Sequence, residues 1–596
     1  MSENKNKFRV DFTGILDILS KHLYSGEDVF IRELLQNAKD AITARKINET
    51  SDYKGQVSVE IINHENNAVL IFEDNGIGLT ISEVESFLSV IGSSSKKKMN
   101  DMEDIPTSFV GQFGIGLLSC FLVSDKITLI SKSDKSDKAV KWEATIDGLY
   151  ESSELETTSL VTGTKIFLEL NEDKRDIYNK QKLRQLLKKY SQFLNIEVKL
   201  IEKESSEDII RNQFPWEHHV SDDKEVVQFG RKYFDINFHY FINLESHGGM
   251  TQGLGYIYPF PSKPGGKSAN HVYIKNMLID EEAGDLLPEW AFFIKAVVNS
   301  DILKPTASRE SLYKNNTLTE TAHQFEKCIH AYFKKLTTDA PYILEEIVNT
   351  HNLAIKAFAT SDNSFFDLII DYISFPTSRG NMKAKEFLTF DNVKYVENID
   401  SFRQVLPIAK ANDQLVINGG YIYDSSLLNK LESKHRSKLS KLDDLRFDSI
   451  LKNIDWEEEN TYTEFKEKCN AVLREFKCEC SFKKFAPKSL PAIFHLDADQ
   501  KFSRDVERTK QITNDLWGGV LDEMVSQNTY TSNSILYMNM DNVLILKISK
   551  IMDPTVFKTS VELIYINALM AGHYALNAKE SNLLNKNLLS LIDLVN

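Results

Sequence analysis

A chain of 596 residues with 42% hydrophobic and 26% charged side chains has ordinary globular composition and room for about four folding units. Its 71 basic against 86 acidic residues leave a net charge of −15, a field that repels nucleic acid and anionic membrane, so neither is expected as a partner. No apolar run reaches about 18 residues and the N-terminal stretch has no apolar core. The five cysteines make no disulfide framework, so a cytoplasmic protein is expected.

The first helical pattern is RELLQNAKDAI, Arg32 to Ile42. Ile31, Leu34, Leu35, Ala38, Ala41 and Ile42 share one face, and Glu33, Asn37 and Asp40 share a stripe opposite it. A solvated helix face explains that stripe. So does a site in which a carboxylate orients water and an amide oxygen ligates Mg²⁺, an ion that takes few protein ligands beside phosphate oxygens. Periodicity does not choose between them. Next, AVLIFEDNGIGL, Ala68 to Leu79, reads as a strand running into an Asn75-Gly76 hairpin-type turn. Such a turn requires neither Asp74 before it nor Gly78 after it. A carboxylate at a buried strand end can accept a hydrogen bond from an exocyclic amine, as on adenine, and Gly78 permits close approach.

The polar stretch Gly92 to Ser108, with its SSSKKK, is either a surface loop or a mobile lid. In FVGQFGIGLLSCF, Gly111, Gly114 and Gly116 precede an apolar helical run, so N–H groups at a helix N-terminus could face phosphate. Lys126 to Ile130 and Ala139 to Ala144 read as strands joined by a solvated hairpin loop, Ser131 to Lys138. VTGTKIFLEL, Val161 to Leu170, alternates as a half-buried strand with Thr164 at its entrance. The polar segment Ile201 to Glu225 is the first expected boundary. Beyond it, FDINFHYFINL, GLGYIYPF and HVYIKNMLI read as strands, while Glu289 to Val298, Thr319 to Leu336 and much of Pro341 to Ile373 read as helices.

GGKS, Gly265 to Ser268, resembles the end of a phosphate-binding loop, but Pro261 stands where that loop needs glycine. Cys469, Cys478 and Cys480 match no zinc spacing. A second boundary is expected at PKSLPAIF, and two apolar helical patterns, Thr559 to Ala571 and Asn582 to Val595, suit a packing or dimer face.

The joint occurrence of ELLQNAKDA, EDNGIGL, GQFGIGLLS and GTKI resembles the nucleotide-binding domain of the GHKL ATPases. Within that superfamily the chain resembles the ninety-kilodalton heat-shock chaperone family in its bacterial, HtpG-type branch. HLYSGEDVFIRELLQNAKDA at the start, IKNMLIDEEAGDLLPEWAFFIKAVVNSDILKPTASRESL in the middle, and LPAIFHLDAD with VELIYINALMAGHYAL near the end carry the likeness.

The resemblance implies an α+β multidomain protein: a Bergerat-type α/β sandwich ATPase domain over 1–215, an α/β middle domain over 225–485 (225–340 and 341–485), and a small α+β dimerisation domain over 486–596. It further implies ATP and Mg²⁺ as ligands, with Glu33 as general base and Asn37 as Mg²⁺ ligand. Asp40, Asp74, Gly78 and Thr164 would bind the nucleotide, and Gly111, Gln112, Phe113, Gly114, Ile115 and Gly116 would contact phosphate at the lid hinge. Arg309 would reach the γ-phosphate. A homodimer acting on partly folded client proteins is implied, without the acidic tail that docks repeat co-chaperones, since the chain ends LIDLVN. Tyr313 departs from the family's glutamine, and the lid is short. The rival readings are a DNA-acting GHKL ATPase and a nucleotide-sensing scaffold without turnover.

Overall fold

The computed structural model describes residues 14, 26–48, 53–63, 67–88, 116–156, 160–202, 205–217, 222–262, 269–442, 451–496, 504 and 534–595. The chain forms two compact units, Met1–Lys335 and Leu336–Asn596.

The first unit begins with α1, Val29–Asn48. Its stripe of Ile31, Leu34, Leu35, Ala38 and Ile42 is buried, as the periodicity requires. This helix lies on a sheet of eight strands: β1 Gln56–Asn63, β2 Ala68–Asp74, β3 Ser124–Lys132, β4 Ala139–Thr145, β5 Tyr150–Leu155, β6 Gly163–Leu170, β7 Glu197–Glu202 and β8 Ser205–Asp208. Their order is β5-β4-β3-β6-β2-β1-β7-β8, with β1 and β7 parallel. Alternation buries Val57, Val59 and Ile61 of β1 and Ile166, Leu168 and Leu170 of β6. The sequence NGIGL does not close a hairpin. It leads from β2 to α2, Ile81–Phe87, which starts at a capping box between Thr80 and Glu83. The partners of β2 are β1 and β6 instead.

Helices α3, Lys180–Ser191, and α4, Asp223–Phe234, precede a second sheet. Its strands are β9 Tyr240–Ser246, β10 Thr251–Ile257, β11 His271–Ile274, β12 Met277–Asp280 and β13 Ile294–Ser300, in the order β12-β11-β13-β10-β9. Here the expected helix Glu289 to Val298 is wrong. One 3₁₀ turn, Glu289–Ala291, leads into β13, which pairs with both β10 and β11. Ile294, Ala296, Val297 and Val298 are all buried, and a strand covered on both faces shows no alternation to separate it from a helix. Lys275 and Asn276, with φ of 48° and 67°, make the two-residue turn between β11 and β12. The polar segment after β8 is anchored by aromatics. Phe214 stacks on Phe193 at 3.9 Å and on Trp216 at 4.5 Å, with Tyr273 of β11 edge-on to Phe193 and Phe214. The long helix α5, Asn316–Asp339, follows.

The second unit opens with α6 Pro341–Thr350, α7 Asn352–Ser361 and α8 Asn363–Ile369. A five-stranded sheet and a four-stranded sheet follow. The four-stranded sheet shares one apolar core with the helix Thr463–Leu473 and with the late helix Pro554–Ala571. Cys469, Cys478 and Cys480 lie in that core. Among the described residues no cluster of three or more His, Cys, Asp or Glu suits a metal ion. No described helix is long and apolar enough to cross a membrane.

Candidate functional site

The stripe of α1 opposite its apolar face is covered rather than solvated. Arg32, Glu33, Gln36 and Asp40 are each at most 3% exposed, and Asn37 is half-buried. Over Arg32, Glu33 and Gln36 the cover is the loop 305–312, far away in sequence. Its ends are bridged at Pro305 and Leu312, and inside it Thr306 N donates to Ser311 O at 2.9 Å and Arg309 N to Thr306 O at 3.0 Å. Arg309 takes a left-handed conformation, φ 57°, which costs a non-glycine residue on the order of 1 kcal/mol and is common where function imposes it.

Two arginines interlock this loop with the helix. Arg32 donates from Nη1 to Arg309 O at 2.9 Å and from Nη2 to Ser308 O at 2.7 Å. Arg309 in return donates from Nη1 to Glu33 Oε2 and to Gln36 Oε1. The second oxygen of Glu33, Oε1, lies 3.5 Å from Arg32 Nη2. Glu33 thus sits as a carboxylate between two guanidinium groups, almost without solvent. A third tie lies further along α1, where the ammonium of Lys39 donates to the backbone oxygen of Lys275 in the β11–β12 turn. Burial pushes the Lys39 ammonium down to about 8, opposed by neighbouring Asp40.

Gly116 approaches Glu33 closely: a Cβ there would stand 2.5 Å from Glu33 Oε2. It opens a 3₁₀ segment, Gly116–Leu122, and not the α-helix expected after the glycine trio, because that seven-residue segment gives way almost at once to β3 at residue 124. Gly111, Gln112, Phe113, Gly114 and Ile115 lie outside the described residues, as do 92–108. Within that segment Cys120 is fully buried, and burial and then Glu33 push its thiol upward, away from the thiolate.

The second cluster lies where β2 ends. Asp74, 8% exposed, is in register with Thr164 of β6, and its Oδ1 accepts from Gly76 N at 2.8 Å. The Ser131 and Thr164 hydroxyls bond each other at 2.9 Å, and Ser131 Oγ accepts from Leu79 N at 2.9 Å. Gly78 has φ 67°, and a Cβ there would stand 2.0 Å from Lys132 O, so only glycine fits. Asn75 fixes the bend, its Oδ1 accepting from Gln56 N and its Nδ2 donating to Lys54 O. Two clusters therefore flank the same helix: Asp74, Gly78 and Thr164 at one, Glu33 and Arg309 at the other. Asn37 lies on α1 between Glu33 and Asp40. Its amide oxygen is a hard donor of the kind Mg²⁺ accepts, and one such ligand suffices where phosphates supply the rest.

Sequence reasoning passed over Arg32, Gln36, Lys39 and Ser131. Gln36 stands three residues after Glu33, and that spacing alone marked it as a helical neighbour. Nothing local marked Ser131, whose role follows from the pairing of β3 with β6.

Residues 24–170 match the family model described as histidine kinase-, DNA gyrase B- and HSP90-like ATPase. Residues 263–593 match the model of the Hsp90 protein. Among curated proteins, the chaperone protein HtpG of Fusobacterium nucleatum is 26% identical over 641 aligned positions, which cover 99% of this chain and all of the relative. The protein of that name from Vesicomyosocius okutanii is 25% identical, covering 67% of this chain and 68% of its own length. That from Alkaliphilus metalliredigens is 28% identical, covering 65% of this chain and 67% of its own length.

Proposed function

The chain belongs to the Hsp90 protein family and is an ATP-dependent chaperone with a nucleotide-binding ATPase domain; from that premise we propose that Glu33 and Arg309 are its hydrolytic pair. The observation that supports this most is the buried contact of Arg309 with Glu33, which joins residues 276 positions apart. A buried ion pair is a poor source of stability, so this one suits a functional use.

In this reading Asp74 accepts a hydrogen bond from the adenine amine, with Gly78 admitting the ring and Thr164 completing the pocket. Asp40 and Gly111 to Gly116 belong to the nucleotide-binding set. Asn37 would hold Mg²⁺, which when bound neutralises phosphate charge. Glu33 takes the proton of the attacking water, a contribution of about 10² to 10⁴ in rate. Arg309 turns to the γ-phosphate, where such a charge contributes about 10³ to 10⁵. Since Arg309 holds the Glu33 carboxylate, the base is freed only when a phosphate takes the guanidinium from it. That exchange makes turnover depend on the placement of the loop 305–312.

The domain division proposed is 1–215 for ATP binding, 225–485 for the middle domain and 486–596 for dimerisation. Leu588, Leu589 and Ile592, each 47% exposed or more, suit a homodimer contact at the C-terminal helix. Partly folded proteins are the proposed clients, in the cytoplasm. The test is aggregation of an unfolding client protein with ATP, with ADP and without nucleotide, alongside solution scattering of the chaperone itself. The reading expects ATP to compact the dimer and to change client protection. Identical scattering and protection in all three conditions would contradict it.

A further inference from the structure

We propose that Gln36 is a positioning residue for hydrolysis, which holds the Arg309 guanidinium and shares it with Glu33; this rests on the catalytic reading of that pair. Gln36 is fully buried, and its Oε1 accepts from the same Arg309 nitrogen, Nη1, that donates to Glu33. A guanidinium Nη carries two protons, so one is directed to each acceptor. When Arg309 leaves the carboxylate for a phosphate, the amide remains as a neutral anchor. The guanidinium then pivots about Gln36 and need not leave the site.

The rest of the cluster points the same way. Gln36 Nε2, Glu33 Oε1 and Arg32 Nε are buried and make no hydrogen bond, although all three belong to neighbouring positions of α1. Buried polar atoms are nearly always satisfied, so three together at a catalytic carboxylate need an explanation. Three such atoms on neighbouring positions of α1 mark a polar pocket at this carboxylate. Gln36 serves both sides of the exchange, since its oxygen accepts from the arginine beside the carboxylate and, being neutral, does not compete with a phosphate for the charge. A leucine would fill the volume without accepting from the arginine.

The experiment uses the full-length protein and measures ATP turnover and nucleotide binding for the wild type, Glu33→Ala, Arg309→Ala, Gln36→Leu and the double variant Gln36→Leu/Arg309→Ala. The loss of one charge-assisted hydrogen bond predicts that Gln36→Leu lowers kcat roughly 10- to 100-fold. KM and nucleotide affinity should stay within about twofold, because the interaction is used after binding. In the Arg309→Ala background the same substitution should cost almost nothing further, which a merely structural role would not produce. If Gln36→Leu does not fold, the isosteric Gln36→Glu serves: a second carboxylate on Arg309 retains it too tightly, and kcat should again fall with KM unchanged. Wild-type kcat in the variants overturns the proposal, as does an equal loss with and without Arg309. Turnover that survives Glu33→Ala instead removes the catalytic reading on which it rests.

Discussion

Replacing Arg32 by methionine should release the loop 305–312 while leaving the nucleotide pocket at Asp74 intact. Arg32 is buried and makes two charge-assisted bonds to that loop, at 2.9 Å to Arg309 O and 2.7 Å to Ser308 O. Each such bond contributes about 1.5–3 kcal/mol. Against this stands the buried Nε of Arg32, which has no hydrogen bond and costs about 1–3 kcal/mol. Taken at the middle of these ranges, the net contribution is about 2.5 kcal/mol, equivalent to roughly 70-fold in the equilibrium that keeps the loop on the helix. Hydrogen exchange reads this at the amides of Thr306, Arg309 and Tyr313, which bond to Ser311 O, Thr306 O and Lys304 O in and beside the loop. Their protection should fall in Arg32→Met while that of β2 and β6 is unchanged, and turnover should fall with it. Unchanged loop protection with turnover within about twofold of wild type would refute the reasoning.

Three further outcomes follow from other contacts. Gly116→Ala places a methyl 2.5 Å from Glu33 Oε2 and must displace that carboxylate, so kcat should drop with little change in ATP affinity; equal kcat would show the approach is not needed. Because Lys39 titrates near 8 in the fold against 10.5 when unfolded, the unfolded chain binds more protons between those values, so stability gains up to about 1.4 kcal/mol per pH unit from about 8 to 10.5 and is flat below. Lys39→Met should remove that slope in urea unfolding, and parallel wild-type and variant curves would exclude it. In the second unit, Lys356 and Asp424 form a buried pair at 2.6 Å, so Lys356→Met or Asp424→Leu alone should cost about 3–5 kcal/mol and the double variant far less. Additive losses in thermal unfolding would contradict that coupling.

Local pattern carried much of the architecture. Helix α1, strands β2, β3, β4 and β6 and the helices after Asn316 follow from periodicities of about 3.6 and 2.0 in their own residues. The misreadings share a cause, in that the deciding partner is distant. Residues 289–298 look helical until β10 and β11 flank Ile294–Ser300 on both sides. Asn75-Gly76 looks like a hairpin until β2 is found between β1 and β6. The stripe of Glu33, which periodicity leaves open between a solvated face and a site, is decided only by the loop 305–312 lying over Glu33, and with that loop come the roles of Arg32 and Gln36. The motif EDNGIGL pointed to Asp74 and Gly78 because each is marked by its own neighbours. The interlocked arginines are marked by nothing in the sequence close to either.

The most direct test of the account is Mg²⁺-dependent ATP turnover of the wild type, Glu33→Ala and Arg309→Ala, with nucleotide affinity measured in parallel. The account predicts turnover in the wild type, its loss in Glu33→Ala with ATP still bound, and a large loss in Arg309→Ala. ATP hydrolysis that persists in both variants at the wild-type rate would contradict it.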